Sequence, residues 1–186
     1  MYEYNKDHSK AHEIVKTATL HSDLKDTKNL VFNVCGFECT QPKIEVQNAE
    51  YGAYVFNVNT QSIRFRVAKI TPTKIGQFVT LWERSVDGLI QPFDVSDSID
   101  LYVISCREGD KFGQFVFPKK VLCEQNVISK KGKGGKRAIR VYPPWDKPTS
   151  RQALKTQNWQ LEYFLEIPYN FPIDSFRAQM LYSLNY

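Results

Sequence analysis

Tyr54-Val-Phe-Asn-Val-Asn-Thr-Gln-Ser-Ile-Arg-Phe-Arg-Val-Ala-Lys69 is the stretch on which the fold turns. Tyr54, Phe56 and Val58 alternate with Val55, Asn57 and Asn59, the two-residue period of a strand. Asn59, Thr60, Gln61 and Ser62 have turn composition. Ile63, Phe65 and Val67 then share one face with Lys69, while Arg64 and Arg66 share the other. The pattern predicts a β-hairpin over residues 51–70, with Lys69 at the rim of an apolar face. A lysine so placed either snorkels to solvent or points into a cleft. Pro72 breaks the second strand or caps the next element.

Further strands are expected outward from this hairpin, at Phe78 to Trp82, Leu101 to Ile104, Gln114 to Phe117 and Ile139 to Tyr142. A charged turn over Arg107 to Gly113 joins the middle pair, and Pro92 to Ser98 reads as an acidic loop. Asn29 to Phe37 is an apolar run interrupted by Asn33. Residues 9–20 carry a weak helical pattern in Ala11, Ile14, Val15 and Leu20. Pro148, Thr149 and Ser150 are N-terminal signals for a helix marked by Leu154, Leu161 and Leu165 and ended by Pro168 and Pro172. A last short helix begins near Asp174. Helix, strands, then helices predict an α+β fold, a mixed but mostly antiparallel sheet flanked by helices. Residues 1–186 are expected to form one domain.

Composition narrows the function classes. The chain has 186 residues, 42% hydrophobic and 24% charged, which excludes disordered and collagen-like chains. No run of roughly 18 apolar residues is present, so no membrane helix is expected. The first residues are polar and mixed in charge, without a visible signal peptide. Cys35, Cys39, Cys106 and Cys123 form no CxxC pair and are expected as reduced thiols in a cytoplasmic protein. His8 and His12, at i, i+4, would have to combine with Cys35 and Cys39 to bind zinc, at spacings that match no zinc pattern. No histidine follows His21, so a histidine base would have to come from the first segment. No metal and no cofactor are expected.

The net charge of +5 and the 13% aromatic content are compatible with a nucleic-acid surface or with simple solubility. The charge is concentrated. Lys130, Lys131, Gly132, Lys133, Gly134, Gly135, Lys136 and Arg137, followed by Arg140, contain no acid. Such a loop attracts phosphate by counterion release and lacks Walker spacing; the plainer reading is a mobile solvated loop. Arg66, Lys69, Lys74 and Arg84 form a second basic group. Asp94, Asp97 and Asp100 recur at spacing three, without the glycine turn or Glu of a calcium loop, and read first as loop solvation or turn caps. Glu45, Glu50, Glu83 and Glu108 are scattered, and spacing singles out none. Tyr142, Pro143, Pro144 and Trp145 either pack a loop or stack bases, whereas Trp159 and Tyr163 read as core or near-core.

Five blocks together resemble the MepB family of bacterial proteins. They are Tyr51-Gly-Ala-Tyr-Val-Phe56, Arg66-Val-Ala-Lys-Ile-Thr-Pro-Thr-Lys-Ile-Gly-Gln-Phe78, Gly113-Gln-Phe-Val-Phe-Pro-Lys119, Lys136-Arg-Ala-Ile-Arg-Val-Tyr-Pro-Pro-Trp145 and Gln157-Asn-Trp-Gln-Leu-Glu-Tyr-Phe164. The resemblance spans roughly Ala11 to Ile167. It implies a fold similar to type II restriction endonucleases, the PD-(D/E)XK group, and nucleic-acid binding. That group holds magnesium with an acid on one strand and an E-x-K pair on the next. Here Val67 precedes Lys69 where the acid belongs, and the preceding strand offers Asn57. The other alignment, Asp100 with Phe117-Pro-Lys119, places Phe117 there.

The expectation is therefore DNA or RNA binding, mainly electrostatic and not sequence-specific, without an intact metal-binding acid pair. Arg66, Lys69, Lys74, Arg84, Lys119, Arg137 and Arg140 are the expected phosphate contacts. An active magnesium nuclease would need a migrated acid such as Glu83 or Glu50. An accessory or small-ligand binder in multidrug response would need an apolar pocket instead.

Overall fold

The structure, a computed structural model, describes residues 20–183. A helical segment opens it: α1 (Ser22–Thr27), a π-turn (Lys28–Phe32) and α2 (Asn33–Cys35). Then come β1 (Lys43–Ile44), a 3-10 segment (Val46–Tyr51), β2 (Tyr54–Val58), β3 (Gln61–Val67), β4 (Lys69–Thr71) and β5 (Lys74–Thr80). β6 (Trp82–Arg84) and β7 (Ile90–Pro92) precede the long pair β8 (Leu101–Glu108) and β9 (Lys111–Pro118). The chain ends through α3 (Lys119–Glu124), β10 (Ala138–Val141), α4 (Arg151–Leu161), β11 (Phe164–Glu166) and α5 (Ser175–Tyr182). The fold is α+β. The helix expected over residues 9–20 lies outside the described residues except for Leu20, and His8 and His12 lie wholly outside them.

Six strands form the main sheet in the order β1-β2-β3-β8-β9-β11. All its pairings are antiparallel except β3 with β8, where Ile63 lies opposite Leu101 in parallel register. Both faces are covered, so the central strands lose the alternation of a half-exposed sheet. Leu101 to Cys106 and Phe112 to Pro118 are buried without interruption. One core holds Phe32, Phe56, Ile63, Phe65, Val103 and Leu181, from the sheet and the helices on that side. The other holds Val79, Leu81, Phe93, Ile104, Phe115, Phe117 and Leu122. Trp159 and Tyr163 pack on Phe117, with ring centroids 5.3 and 5.9 Å away, in the near-core role the sequence predicts.

A smaller sheet of order β10-β5-β4 and a two-stranded arm, β6 with β7, complete the strands. The arm's antiparallel register runs from Trp82 opposite Pro92 to Arg84 opposite Ile90. The helix expected from Pro148 to Pro168 stops at Leu161, because Phe164 to Glu166 join β9 as an edge strand. Leu165 therefore sits in the sheet, and the buried side chains of α4 are Gln157 and Gln160. The last helix begins where expected, with the Asp174 carboxylate accepting the Arg177 amide at 2.8 Å. No helix of the described residues is long and apolar enough to cross a membrane.

Candidate functional site

Strand parity assigns Arg64 and Arg66 to the same face of β3, but that face is not solvent. Arg66 is 0% exposed. Its Nη1 lies 2.5 Å from Glu45 Oε2. Arg64 bonds Asp97 at 2.5 Å and Glu45 at 3.2 Å while its guanidinium lies 3.7 Å from the centre of the Phe93 ring. Burial pulls the Arg66 pKa down, and Glu45 opposes that pull. Arg66 therefore has no surface to offer a phosphate and serves the second core as half of a buried ion pair.

Lys69 also leaves the place that parity gave it. After Val67 the Ala68 amide donates to the Ser105 carbonyl at 2.9 Å, and the chain crosses into the smaller sheet. There Lys69 lies opposite Phe78, exposed, with its ammonium 3.6 Å from Glu50 and 4.0 Å from the centre of the Tyr51 ring. Arg84 sits on the arm beside two acids, Glu83 and Asp87, and its Nη1 donates to the Gly88 carbonyl at 2.9 Å.

The glycine-rich loop is built rather than slack. The Asp94 carboxylate accepts the Gly132 amide at 3.0 Å, the Ser129 hydroxyl at 2.7 Å, and the Ser96 amide and hydroxyl at 3.0 and 2.8 Å. These donors, the Gly132 amide first, hold its pKa far below the usual carboxylate range. Asn126 accepts the Gly135 amide at 3.1 Å. A Cβ on Gly135, whose φ is +81°, would lie 2.8 Å from both Pro92 Cβ and the Ser129 nitrogen. The glycine there answers the turn, not a ligand. The expectation of a mobile loop gives way to a pinned one that projects Lys130, Lys131, Lys133, Lys136 and Arg137 outward. The three loop aspartates likewise have structural partners: Asp94 this loop, Asp97 Arg64, and Asp100 the Ser62 amide at 2.8 Å.

Two neighbouring hollows run along the free edge of β10. One, of about 400 Å³, is lined by Lys136, Arg140, Tyr142 and Trp159, with Gln125, Gln152, Thr156 and Gln160. The second, of about 320 Å³, shares Arg140, Tyr142, Ser150 and Ala153 with it and adds Lys74. Together they make a groove whose lining includes three cations and no carboxylate, although a third hollow that shares Thr73, Lys74 and Ile75 with the second carries Glu108 and Asp146 on its far side. Arg140 donates to the Gly76 carbonyl at 2.7 Å and the Thr71 hydroxyl at 2.8 Å, so it also clamps the β4–β5 turn that carries Lys74. None of Lys74, Lys136 and Arg140 is in an ion pair among the described residues. Lys136 and Tyr142 are not among the seven expected phosphate contacts, although the sequence places Lys136 in the phosphate-attracting loop and gives Tyr142 base stacking as one of its two readings. Strand parity adds that Arg140 and Tyr142 share a side, on either side of the buried Val141.

Lys119 belongs elsewhere. Its amide donates to the Asp100 carbonyl at 2.9 Å and its ammonium to the Asp97 carbonyl at 2.7 Å. It lines a cleft of about 530 Å³ with Asp100, Lys120, Glu124 and Lys130. The acid and lysine of the second E-x-K alignment thus meet, but Phe117 is buried in the core. Glu50 pairs with Lys69, and Glu83 accepts from Gln91 at 3.2 Å; neither lines this cleft, whereas Glu124 does. Among the described residues, no three His, Cys, Asp or Glu side chains are grouped to hold a metal.

No curated protein matches the chain in sequence. The family model MepB-like matches residues 45–166, which hold the hairpin, the glycine-rich loop, the groove strand β10 and α4. A crystal structure of MepB is similar at a TM-score of 0.68 and 32% identity, covering 78% of this chain and 97% of the other. The chain belongs to the MepB-like family.

Proposed function

We propose that the groove along β10 binds the phosphate backbone of a nucleic acid, mainly by charge and without reading sequence. One observation carries the reading: Lys74, Lys136 and Arg140 line a groove that contains no carboxylate. Cations without counter-charges release condensed counterions when they meet phosphates. Arg137, exposed one residue from Lys136, extends the same strip. Lys119, Lys120 and Lys130 form a second basic cluster, diluted by Asp100 and Glu124. Lys69 and Arg84 lie outside both linings and contribute at most long-range attraction. Four free cysteines suit a reducing, cytoplasmic setting.

The test is the salt dependence of oligonucleotide binding. Lys74→Gln, Lys136→Gln and Arg137→Gln should each weaken binding and flatten the salt slope by about 0.7 for a single strand or about 0.9 for a duplex. These three side chains make no structural bond as strong as the Arg140 clamp, so they separate charge from folding. An unchanged slope in all three would remove the groove from the interface.

A second reading has its own observation. Asp100 and Lys119 meet at the end of the β8–β9 hairpin, and Glu124 lines the same cleft. We propose Glu124, rather than Glu83 or Glu50, as the acid that a residual metal-dependent nuclease would use. Plasmid nicking with magnesium or manganese, abolished by Lys119→Met, would support it; inactivity with both metals on DNA and RNA would end it.

A further inference from the structure

Tyr142 is the one aromatic residue that lines both halves of the groove. It belongs to neither apolar core. Its hydroxyl has no hydrogen-bond partner among the described residues, although tyrosines that serve a core usually find one. The ring is nonetheless held in place. Gly76, at a φ of +87°, packs over one face of the ring: a Cβ there would come within 2.5 Å of Cε1, 2.8 Å of Cδ1 and 3.1 Å of Cζ, so a base would have to use the opposite face. The Tyr142 amide donates to Gln160 Oε1 at 2.9 Å, which fixes the backbone below the ring. Tyr142 follows directly on β10, and Arg140, two residues earlier, lines both hollows with it. An anchored, half-buried ring therefore lines the groove together with Lys74, Lys136 and Arg140, and belongs to neither core.

We propose that the groove takes single-stranded rather than duplex nucleic acid, and that Tyr142 is the platform on which one base stacks. The inference rests on the phosphate-binding reading of the groove and adds to it the state of the strand. Bases in a duplex already stack on one another, so a side chain gains a base face only from an unpaired strand. Stacking is tolerant of sequence because every base has a π-face. Hollows of about 400 and 320 Å³ are of the size that encloses a small ligand. They suit nucleotide units entering singly, with phosphates on Lys74, Arg140 and Lys136 and a base against the ring.

The experiment measures fluorescence anisotropy of the full chain with three probes: oligodeoxythymidylate, a hairpin duplex of equal charge, and inorganic polyphosphate. Oligodeoxythymidylate should bind more tightly than the duplex. Tyr142→Ala should weaken oligodeoxythymidylate binding roughly 5- to 150-fold and leave polyphosphate binding unchanged. Tyr142→Phe should retain wild-type affinity within about twofold. Tyr142→Leu, which keeps apolar bulk and removes the aromatic face, should lose as much as Tyr142→Ala, and unchanged polyphosphate binding in both variants separates that loss from a folding defect. Tighter binding of the duplex, or oligodeoxythymidylate affinity indifferent to both Tyr142→Ala and Tyr142→Leu, would overturn the inference. If polyphosphate binds and responds to Lys74→Gln and Lys136→Gln in that case, the groove reading survives alone. If polyphosphate ignores those two variants, the groove reading fails as well.

Discussion

Gln160 closes the free edge of β10 at Arg140. Its Nε2 donates to the Arg140 carbonyl at 3.0 Å, while its Oε1 accepts the Tyr142 amide. Gln157, one helical turn earlier, donates to the Pro143 and Asp146 carbonyls at 3.2 and 2.9 Å. A helix thus finishes the hydrogen bonding of a strand edge that would otherwise offer itself to another chain. Gln160→Leu strands an N–H and a C=O and should cost about 1–3 kcal/mol in urea unfolding. A cost below about 0.5 kcal/mol would mean that water replaces the amide.

Glu45 supports two buried guanidinium groups at once, so its charge matters more than its shape. Glu45→Gln leaves Arg66 without its counter-charge and should destabilise the fold by about 3–5 kcal/mol. Oligonucleotide affinity of the folded fraction should not change, because Arg66 does not reach the surface. A large affinity loss without a stability loss would contradict the structural role given to this pair.

Asp94 should hold the glycine-rich loop in acid. Its folded-state pKa lies below its unfolded value, so its contribution is present above about pH 4 and is lost as pH falls through the depressed folded value. Hydrogen exchange should show the Gly132 amide protected at pH 4 in the wild type and unprotected in Asp94→Ala. Gly135→Ala should destabilise the protein by more than about 1 kcal/mol, given the positive φ and the crowded Cβ. Ready exchange at Gly132 in the wild type would show the loop to be slack.

Asp146 behaves oppositely. Burial first, and then repulsion from Glu108, push its carboxyl up to about 6, with Lys111 opposing. A raised folded pKa means that the favourable contribution is fully present below about pH 4 and is lost as pH rises through about 6. Asp146→Asn should therefore raise the melting temperature at pH 7.5 and leave it nearly unchanged at pH 4. An equal shift at both values would assign the effect to packing.

The sequence carried the strands well because their alternation is local. The hairpin over residues 51–70, the β8–β9 pair and β10 were legible from period and turn chemistry. Burial was not, since parity says which residues share a face and not what covers it. Arg64 and Arg66 look like a solvent face until Phe93 and Glu45 close over them. Lys69 changes sheets at Ala68, a step no period records. The glycines of the basic loop were legible as permissive, but their reason lies in Asp94, Asn126 and Pro92, which tertiary contacts alone bring near. Of the expected contacts, Lys74, Arg137 and Arg140 share the groove strip, while Lys136 and Tyr142 needed the fold to join them.

The smaller sheet draws β4 and β5 from before the β8–β9 pair and β10 from after it. No single cut of the chain releases it as a free-standing module. The groove is assembled only when the β4–β5 turn, β10 and α4, which are far apart in the chain, pack together. Any molecule that binds there shifts the global folding equilibrium by mass action, in proportion to the logarithm of its concentration over its dissociation constant. Thermal denaturation of the entire chain thereby becomes a sensor of the groove's occupancy, and a survey of nucleic acids by melting temperature reads affinity without a label.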